Sequence, residues 1–514
     1  FTASLFGSSL SDQGLVCNQP PNNEAVNRQL AGMVLLLPSG KPESHGRRPD
    51  AEKRNLRSVI EAIGFGLAQV LAIVLAGGIW MADGSELLLL GSVTRSVSDE
   101  WHLDGLERGT IVSIVFIGIL LGNTCSGPLG DGFGRLIPIL ISYSGIVLFS
   151  VLSASTTGFY SLAGIRMLVG LSFGLGQPAS TTLLYEITPS RWQFMTQAQA
   201  QGSFCFGEAF AAFLIWTNDP AMRALDWRWL CMMGALPSLI IGVFAYFFLN
   251  ESPAYLEANG YHHDAVNALE SLKARNRAKE VCCDYVTTVP AEPSPKSVKD
   301  HIATIYSPRL VVTTFSMMLT CFMLNCTFYG GLYAFPQVFT DVKTSQSPAV
   351  VLLIGALTEW PGFMAAPLLQ TVISGKTIIR CYTLIAAVAL LALVVGANGE
   401  STMSSILLQF GYLGIKTSVS IGFVSAYVLS SEAFPASART TGAAACLAAG
   451  RVGGIMTPLI FEWIMGTFGR WEPFFLMLAG AYVLNFLCVC FANLEPDDQA
   501  DDELQPMLSS SKAP

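Results

Sequence analysis

Apolar runs long enough to cross a lipid bilayer recur along this 514-residue chain, each followed by a polar break. A helical crossing needs roughly 20 predominantly apolar residues. Twelve segments meet that pattern: 66–92, 109–129, 136–155, 159–184, 193–217, 229–250, 309–339, 349–373, 378–397, 403–430, 439–466 and 472–494. One long polar stretch, 251–308, divides them six and six, and its first part has helical periodicity. The pattern predicts an all-α membrane protein of twelve transmembrane helices in two pseudo-symmetric six-helix bundles. The expected division is an N-terminal arm over 1–62, bundles over 63–250 and 309–494, a linker over 251–308 and an acidic tail over 495–514. The arm is rich in Gly, Pro, Asn and Ser and is expected to be mostly disordered.

The two sets of spans repeat. Glu186-x-x-Pro189 ends the fourth and Glu432-x-x-Pro435 the tenth, 246 positions apart. The turn Gly130 to Arg135 (GDGFGR) is echoed by Gly375 to Arg380 (GKTIIR), 245 positions on. Arg228-Trp229 and Arg470-Trp471, 242 positions apart, open the last span of each set. Three anchors at nearly one offset argue for duplication of a six-helix unit. In such paired bundles a substrate binds near the midplane, between the halves, which rock around it.

Composition agrees with a membrane setting. Only 13% of residues are charged, against about 25% in soluble domains. With a net charge of −8 and no large basic patch, nucleic acid is not an expected partner. The twelve cysteines show no metal-ligand spacing and mostly lie in apolar runs, and the five histidines fall outside the spans. No metal or cofactor is therefore expected. Neither a phosphate-binding loop nor a nucleophile–histidine pairing is present, so the chain does not read as an enzyme. No signal peptide is visible, and the first span is expected to serve as its own insertion signal. Counting only the five basic residues just before the first span from the N-terminal arm and none from the tail, Lys and Arg number seventeen on one side of the spans and six on the other, which predicts cytoplasmic termini and a cytoplasmic linker.

Ionisable residues inside spans mark candidate chemistry, because a charge at the bilayer centre is tolerated only beside a cavity, a partner or protein interior. Asp83 and Glu86 lie three apart on one helix face, a candidate proton or cation site, or a pair near the extracytoplasmic end that is simply hydrated or hydrogen-bonded. Glu208 and Glu359 are embedded in apolar sequence and are candidates for substrate contact or proton coupling, or else protonated or paired carboxyls that support helix packing. Lys416 has no evident sequence partner; neutralising Glu359 and contacting an anionic solute are both open. Tyr329 and Asn325 join this substrate or proton-coupling set, and Tyr185, Gln197, Gln201, Tyr333 and Trp360 line the cavity or pack the core. Arg166 is expected to act as a gate, pairing with Glu186 or Asp131, or else to pair with a titrating carboxylate. Gly127, Gly130 and Gly134 are expected to let helices approach closely, and Asp131 to pair with an arginine such as Arg191.

These residues carry a resemblance. Gly127, Leu129, Asp131, Gly134 and Arg135 match the major facilitator superfamily signature G-x-L-x-D-R/K-x-G-R-R, with Gly132 and Leu136 standing where basic residues are usual. Arg166, Gly170 and Gly174 resemble the superfamily's R-x-x-x-G-x-x-x-G pattern, and ESPAYL (251–256) its P-E-S-P-R-W-L sequence, with Ala254 in place of arginine. GIWMADGSELLLL, TFYGG and LTEWPG resemble synaptic-vesicle-2-related and organic cation/carnitine-like transporters, alongside sugar porters. The resemblance implies secondary transport by alternating access. Asp131, Arg135, Glu186, Arg191, Glu432 and Arg439 would then latch the bundles, with Arg166 as a gate. An acidic cavity would favour organic cations or zwitterions, coupled to protons, with sugars and nicotinate-like acids open. The fifth span has Gly202 and Gly207 but lacks the antiporters' Gly-Pro signature, which leans towards symport or uniport. The expected partners are a small solute, protons and the bilayer, with the chain a monomer in the plasma membrane or a vesicle membrane. Glu503 with Met507-Leu508 forms a loose acidic dileucine pattern. The alternative is a transport-inactive vesicle membrane protein acting in trafficking or protein interaction.

Overall fold

The structure is a computed structural model that describes residues 55–286, 298–342, 346–399, 401–434 and 438–492. The expected N-terminal arm up to 54, the AEPSPK part of the linker, Pro435 and the acidic tail with Met507-Leu508 lie outside these residues.

All regular structure among the described residues is helical. Span 1 is Leu67–Leu75 continued, after a break at Ala76 and Gly77, by Gly78–Trp101. Spans 2 to 5 are Gly105–Phe133, Leu136–Ser153, Phe159–Ile187 and Gln193–Asn218. Span 6 is Trp227–Gly234 continued by Leu236–Phe248. The second half comprises Val311–Asp341, Pro348–Gln370, Gly375–Ala397, Thr402–Glu432, Arg439–Phe468 and Glu472–Phe491, spans 7 to 12. Eleven of the twelve are long and apolar enough to cross a membrane on composition alone. The exception is span 5, whose first turns carry Gln193, Gln197, Gln199 and Gln201. At about 1.5 Å per residue it still reaches across, and its outer face exposes Phe206, Phe213 and Trp216.

The face that carries the 134–135 turn and the 251–310 linker is called here the linker face, and the other the distal face. The halves meet along two symmetry-related pairs, span 5 with span 8 and span 2 with span 11, and where span 1 crosses span 7. Within the first half, spans 2 and 4 approach to backbone contact. A Cβ on Gly170 would lie 2.1 Å from the Val115 carbonyl oxygen, and one on Gly174 2.2 Å from that of Ile119. The R-x-x-x-G-x-x-x-G spacing thus places two glycines on one helical stripe, where only a hydrogen fits.

Three expectations need correction. The first is the N-terminal arm, which becomes ordered before residue 62: Leu56–Ile63 is a helix capped by the Asn55 side chain. Its Arg57 donates to Ser190 Oγ (3.0 Å) and its Glu61 accepts from Ser190 N (2.7 Å). The second is the echo of the 130–135 turn, which is out of register. Spans 3 and 9 begin at 136 and 375, 239 positions apart rather than 245. Gly375 to Arg380 therefore forms the first turns of span 9, not the turn before it. The Glu186 and Glu432 anchors do coincide with helix ends, at Ile187 and Glu432. The third concerns Gly127 and Gly130, which do not bring helices together: no atom lies within 4 Å of a Cβ on Gly127, and on Gly130 the nearest is 3.9 Å away.

The linker starts as two helices, Pro253–Ala258 and His262–Asn276, held to the first half. Asn276 accepts from Ala68 N (2.8 Å) and donates to the Gly64 carbonyl (2.9 Å) and to Gln69 (2.8 Å). Glu251 accepts from the backbone N–H of Arg135 (2.8 Å) and Leu136 (3.1 Å), satisfying the start of span 3. Gly134 permits this close approach: its φ is +92°, and a Cβ there would meet Glu251 Oε2 at 2.2 Å.

The contact of spans 2 and 4 yields a direct expectation. Gly170→Val should cost about 1–3 kcal/mol or more through overpacking against backbone, read as a loss of thermal midpoint in detergent. Gly164→Ala, on the same helix with nothing within 4 Å, is the control. Equal midpoints for the two variants would disprove the contact.

Candidate functional site

A cavity of about 520 Å³ lies between the halves. Spans 1, 2, 4 and 5 supply one wall and spans 10 and 11 the other. Leu120, Pro178, Ala444, Leu447 and Ala448 make it largely apolar. Trp80, Asn123, Gln177, Gln201, Tyr427 and Arg451 supply most of its polar groups. Most lining residues lie in the linker-face parts of their helices, so the cavity occupies that side of the interface.

At its deep end, Arg451 donates to Gln177 Oε1 (3.1 Å) and to the Tyr329 hydroxyl (3.4 Å). Gln177 Nε2 in turn donates to Asp83 Oδ2 (2.8 Å). Asp83 is fully buried behind this glutamine. Asn325 donates to the Cys321 carbonyl (2.8 Å) and the Tyr427 hydroxyl (3.4 Å), which ties span 7 to span 10 beside the cavity. Tyr329 stacks against Phe116 at 4.8 Å, so the deep end is closed by aromatic rings from both halves.

Three further charge groups lie inside the bundle. Glu86 receives Arg166 Nη1 at 2.6 Å, with the Cys231 thiol 2.8 Å from Arg166 Nη2. Glu208, from span 5, and Glu359, from span 8, both hold Lys416 of span 10, at 2.6 Å for Glu208. All three side chains are buried, and the group joins the two halves. Toward the distal face, Arg108 of span 2 pairs with Glu462 of span 11 at 2.6 Å, and Tyr333 donates to the same carboxylate. Arg95 at the end of span 1 bonds Thr340 and lies 3.6 Å from Asp341. The distal side of the interface is therefore held shut by charged contacts between the halves.

Several predicted roles shift accordingly. Arg166 is not a gate with Glu186 or Asp131. It and Glu186 stand 20 residues apart on one helix, roughly 30 Å along the axis, and Arg166 is buried on Glu86 instead. Asp131 pairs with Arg135 (3.2 Å) rather than with Arg191, which lies over the Trp192 ring instead. Arg135 also reaches Glu186 (3.2 Å), which makes a compact cluster inside the first half. Glu432 and Arg439 flank the corresponding turn of the second half, near enough for the arginine to act on the carboxylate. Asp83 and Glu86 are buried and hydrogen-bonded rather than hydrated, and each takes a separate partner, Gln177 and Arg166. Tyr185 and Trp360 point outward, at 56% and 38% exposure, and leave the cavity lining to others. The expected acidic cavity is also absent: Glu86, Glu208 and Glu359 are each bonded to a cation, and Asp83 sits behind Gln177.

Two charged residues escaped the sequence reading, Arg451 in AAGRVGG and Glu462 in LIFEWIM. Each is a lone charge in an apolar run, the same signal that marked Glu208 and Lys416.

A family model described as sugar (and other) transporter matches residues 90–505. The synaptic vesicle 2-related protein of Xenopus laevis is 27% identical over 463 residues, covering 86% of this chain and 81% of that protein. Organic cation/carnitine transporter 7 of Arabidopsis thaliana is 25% identical over 497 residues, covering 88% and 96%. Among solved structures, an inward open conformation of the xylose transporter XylE from E. coli has a TM-score of 0.64 at 17% identity, covering 82% of this chain and 95% of that one.

Breaking one member of the Glu86–Arg166 pair should expose the cost of an orphaned buried charge. Arg166→Gln is expected to destabilise by roughly 3–5 kcal/mol, and adding Glu86→Gln to restore most of it. Denaturation of the two variants in detergent checks this, and a double variant no more stable than the single one would refute the pairing.

Proposed function

Because the chain belongs to the sugar (and other) transporter family of the major facilitator superfamily, whose members are membrane transporters and not enzymes, we propose that it carries a small organic solute by alternating access and takes up a proton at Glu208, Lys416 and Glu359. The observation that carries this reading is the imbalance of that group: two carboxylates share one ammonium, in a buried place that bridges the halves. Of two carboxylates that share a site, one is driven to hold a proton. With both ionised the group has one uncompensated negative charge, and a single proton cancels it. The Glu86–Arg166 pair is already balanced, so a proton there would leave a buried cation without its partner.

The coupling follows from connectivity. Lys416 bonds to a carboxylate of each half, so the distribution of charge between Glu208 and Glu359 alters the attraction across the interface. Proton binding at Glu208 weakens the link to the first half and favours movement of one bundle against the other. The cavity then has a path to the distal face once Arg108–Glu462 separates. The Lys and Arg excess puts the linker face in the cytoplasm, so the closed distal side faces outward and the conformation is inward-facing. Glu86, Glu208 and Glu359 are bonded to cations and Asp83 to Gln177, so they do not set the charge of the solute.

Reconstitution into proteoliposomes tests the reading. Uptake of a solute from a mixed panel should rise with an inward proton gradient. Glu208→Gln leaves Lys416 with one carboxylate, and should abolish that stimulation while solute exchange at equal pH survives. Lys416→Met leaves two unpaired carboxylates and should abolish both. Undiminished gradient stimulation in Glu208→Gln and Glu359→Gln alike would place proton coupling elsewhere, and absence of uptake for every solute would favour an interaction role.

A further inference from the structure

The cavity carries a charge whose partner is not in the protein. Arg451 is 8% exposed and lines the cavity. Its two bonded partners, Gln177 Oε1 and the Tyr329 hydroxyl, are both neutral. Among the described residues no carboxylate lies within 4 Å of it, whereas Arg166, Lys416 and Arg108 all have one within 2.6 Å. The nearest carboxylate along the hydrogen-bond chain is Asp83, separated from Arg451 by Gln177. A buried guanidinium held by neutral groups is poised to receive an anion, and its fork of donors matches a carboxylate in both spacing and plane.

Unmet hydrogen-bonding groups line the same cavity. Trp80 is 6% exposed and lines the same cavity, and its indole N–H has no partner among the described residues. It is a second donor in the cavity that Arg451 lines. The side-chain carbonyls of Asn123 and Gln201, on spans 2 and 5, likewise have no donor among the described residues. They call for an O–H or N–H on the occupant, at a place distinct from its anionic end. Between these polar groups the walls are aliphatic, from Leu120, Pro178 and Leu447. The cavity is within the size range of pockets that hold drug-sized ligands, about 300–1,000 Å³.

We propose that the occupant is an organic monocarboxylate with an apolar body and a hydroxyl or N–H donor: Arg451 and Trp80 bind the carboxylate, and Asn123 or Gln201 accepts from the donor. This reading rests on the cavity being the transport route, and it reverses the expectation of a cationic solute. It also gives the transport cycle a charge balance. An anion cancels Arg451 while a proton cancels the surplus carboxylate at Lys416, so that solute and proton cross together without net charge.

The test is binding, measured apart from transport, on the purified full-length chain in nanodiscs. Equilibrium dialysis would compare a panel of hydroxylated monocarboxylates led by 3-(4-hydroxyphenyl)propanoate, each with its methyl ester and its amine counterpart, tyramine for the lead acid. At least one acid should bind, with its ester and amine at least tenfold weaker, and 3-phenylpropanoate, which lacks the hydroxyl, should be severalfold weaker. Arg451→Gln should erase the preference for acid over ester, and Arg451→Lys should keep part of it. Trp80→Phe should weaken the acid severalfold more than the ester, and serves if Arg451→Gln does not elute as a single species. The proposal is overturned if no acid binds, if tyramine binds as tightly as its acid, or if Arg451→Gln and Trp80→Phe leave acid binding unchanged. Uptake of an amine driven by a proton gradient would sink this inference and leave the transport reading standing. An acid that binds but is never taken up would do the reverse.

Discussion

An ionised side chain at the centre of a bilayer costs roughly 2.5–3.5 kcal/mol on insertion scales, and far more where no water or partner can reach it. The described spans nevertheless bury eight such groups: Asp83, Glu86, Arg166, Glu208, Glu359, Lys416, Arg451 and Glu462. Most of the architecture can be understood as the arrangement that makes them tolerable. Partners come from different spans, because residues on one helix share only short-range neighbours. Span 1 is thus fastened to span 4 by Glu86 and Arg166, and spans 5, 8 and 10 converge on Lys416. Apolar packing fills the space between, but it has little directional preference in lipid. The charges fix which helix faces which.

The same constraint organises movement. Ion pairs that cross between the halves sit at mid-depth, around Lys416, and at the distal face, around Glu462 and Arg95. On the linker face, Asp131, Arg135 and Glu186 are satisfied inside the first half. A conformation open to the distal side has to break Arg108 from Glu462, which leaves a carboxylate that Tyr333 still serves. That residual hydrogen bond lowers the cost of opening. A charge with a second partner waiting can be released, whereas Glu86 and Arg166 behave as a permanent bolt.

Much of the fold is legible in the sequence, for a physical reason. Bilayer thickness imposes a length on each apolar run, so the helices can be counted without knowledge of their packing. Even glutamine-rich span 5 is visible through its apolar second half. Pairing is harder to read, since it depends on rotation about each helix axis and on depth. Arg166 illustrates this: its sequence motif marks it as important, but only the direction of span 4 shows that it lies far from Glu186. Glu208 and Lys416 were both identifiable as buried charges, yet their contact spans 208 positions and the gap between bundles. Arg451 and Glu462 were missed although they carry the same local signal. The turn at Gly130 to Arg135 matched a family pattern, but its echo at Gly375 to Arg380 lies six positions from the structural equivalent, because six-letter similarity does not carry register.

The attachment of the linker has a mechanical consequence. Glu251 binds the start of span 3, Tyr255 donates to the Gly132 carbonyl, and Asn276 stitches the end of the second linker helix to span 1. Residues 251–276 are ballast on the first bundle. In the proposed alternating-access cycle the two moving bundles are therefore unequal in mass. A binding protein or antibody that grips the 262–276 helix holds the first bundle alone, so in that cycle it travels with that bundle unless it also braces against the second.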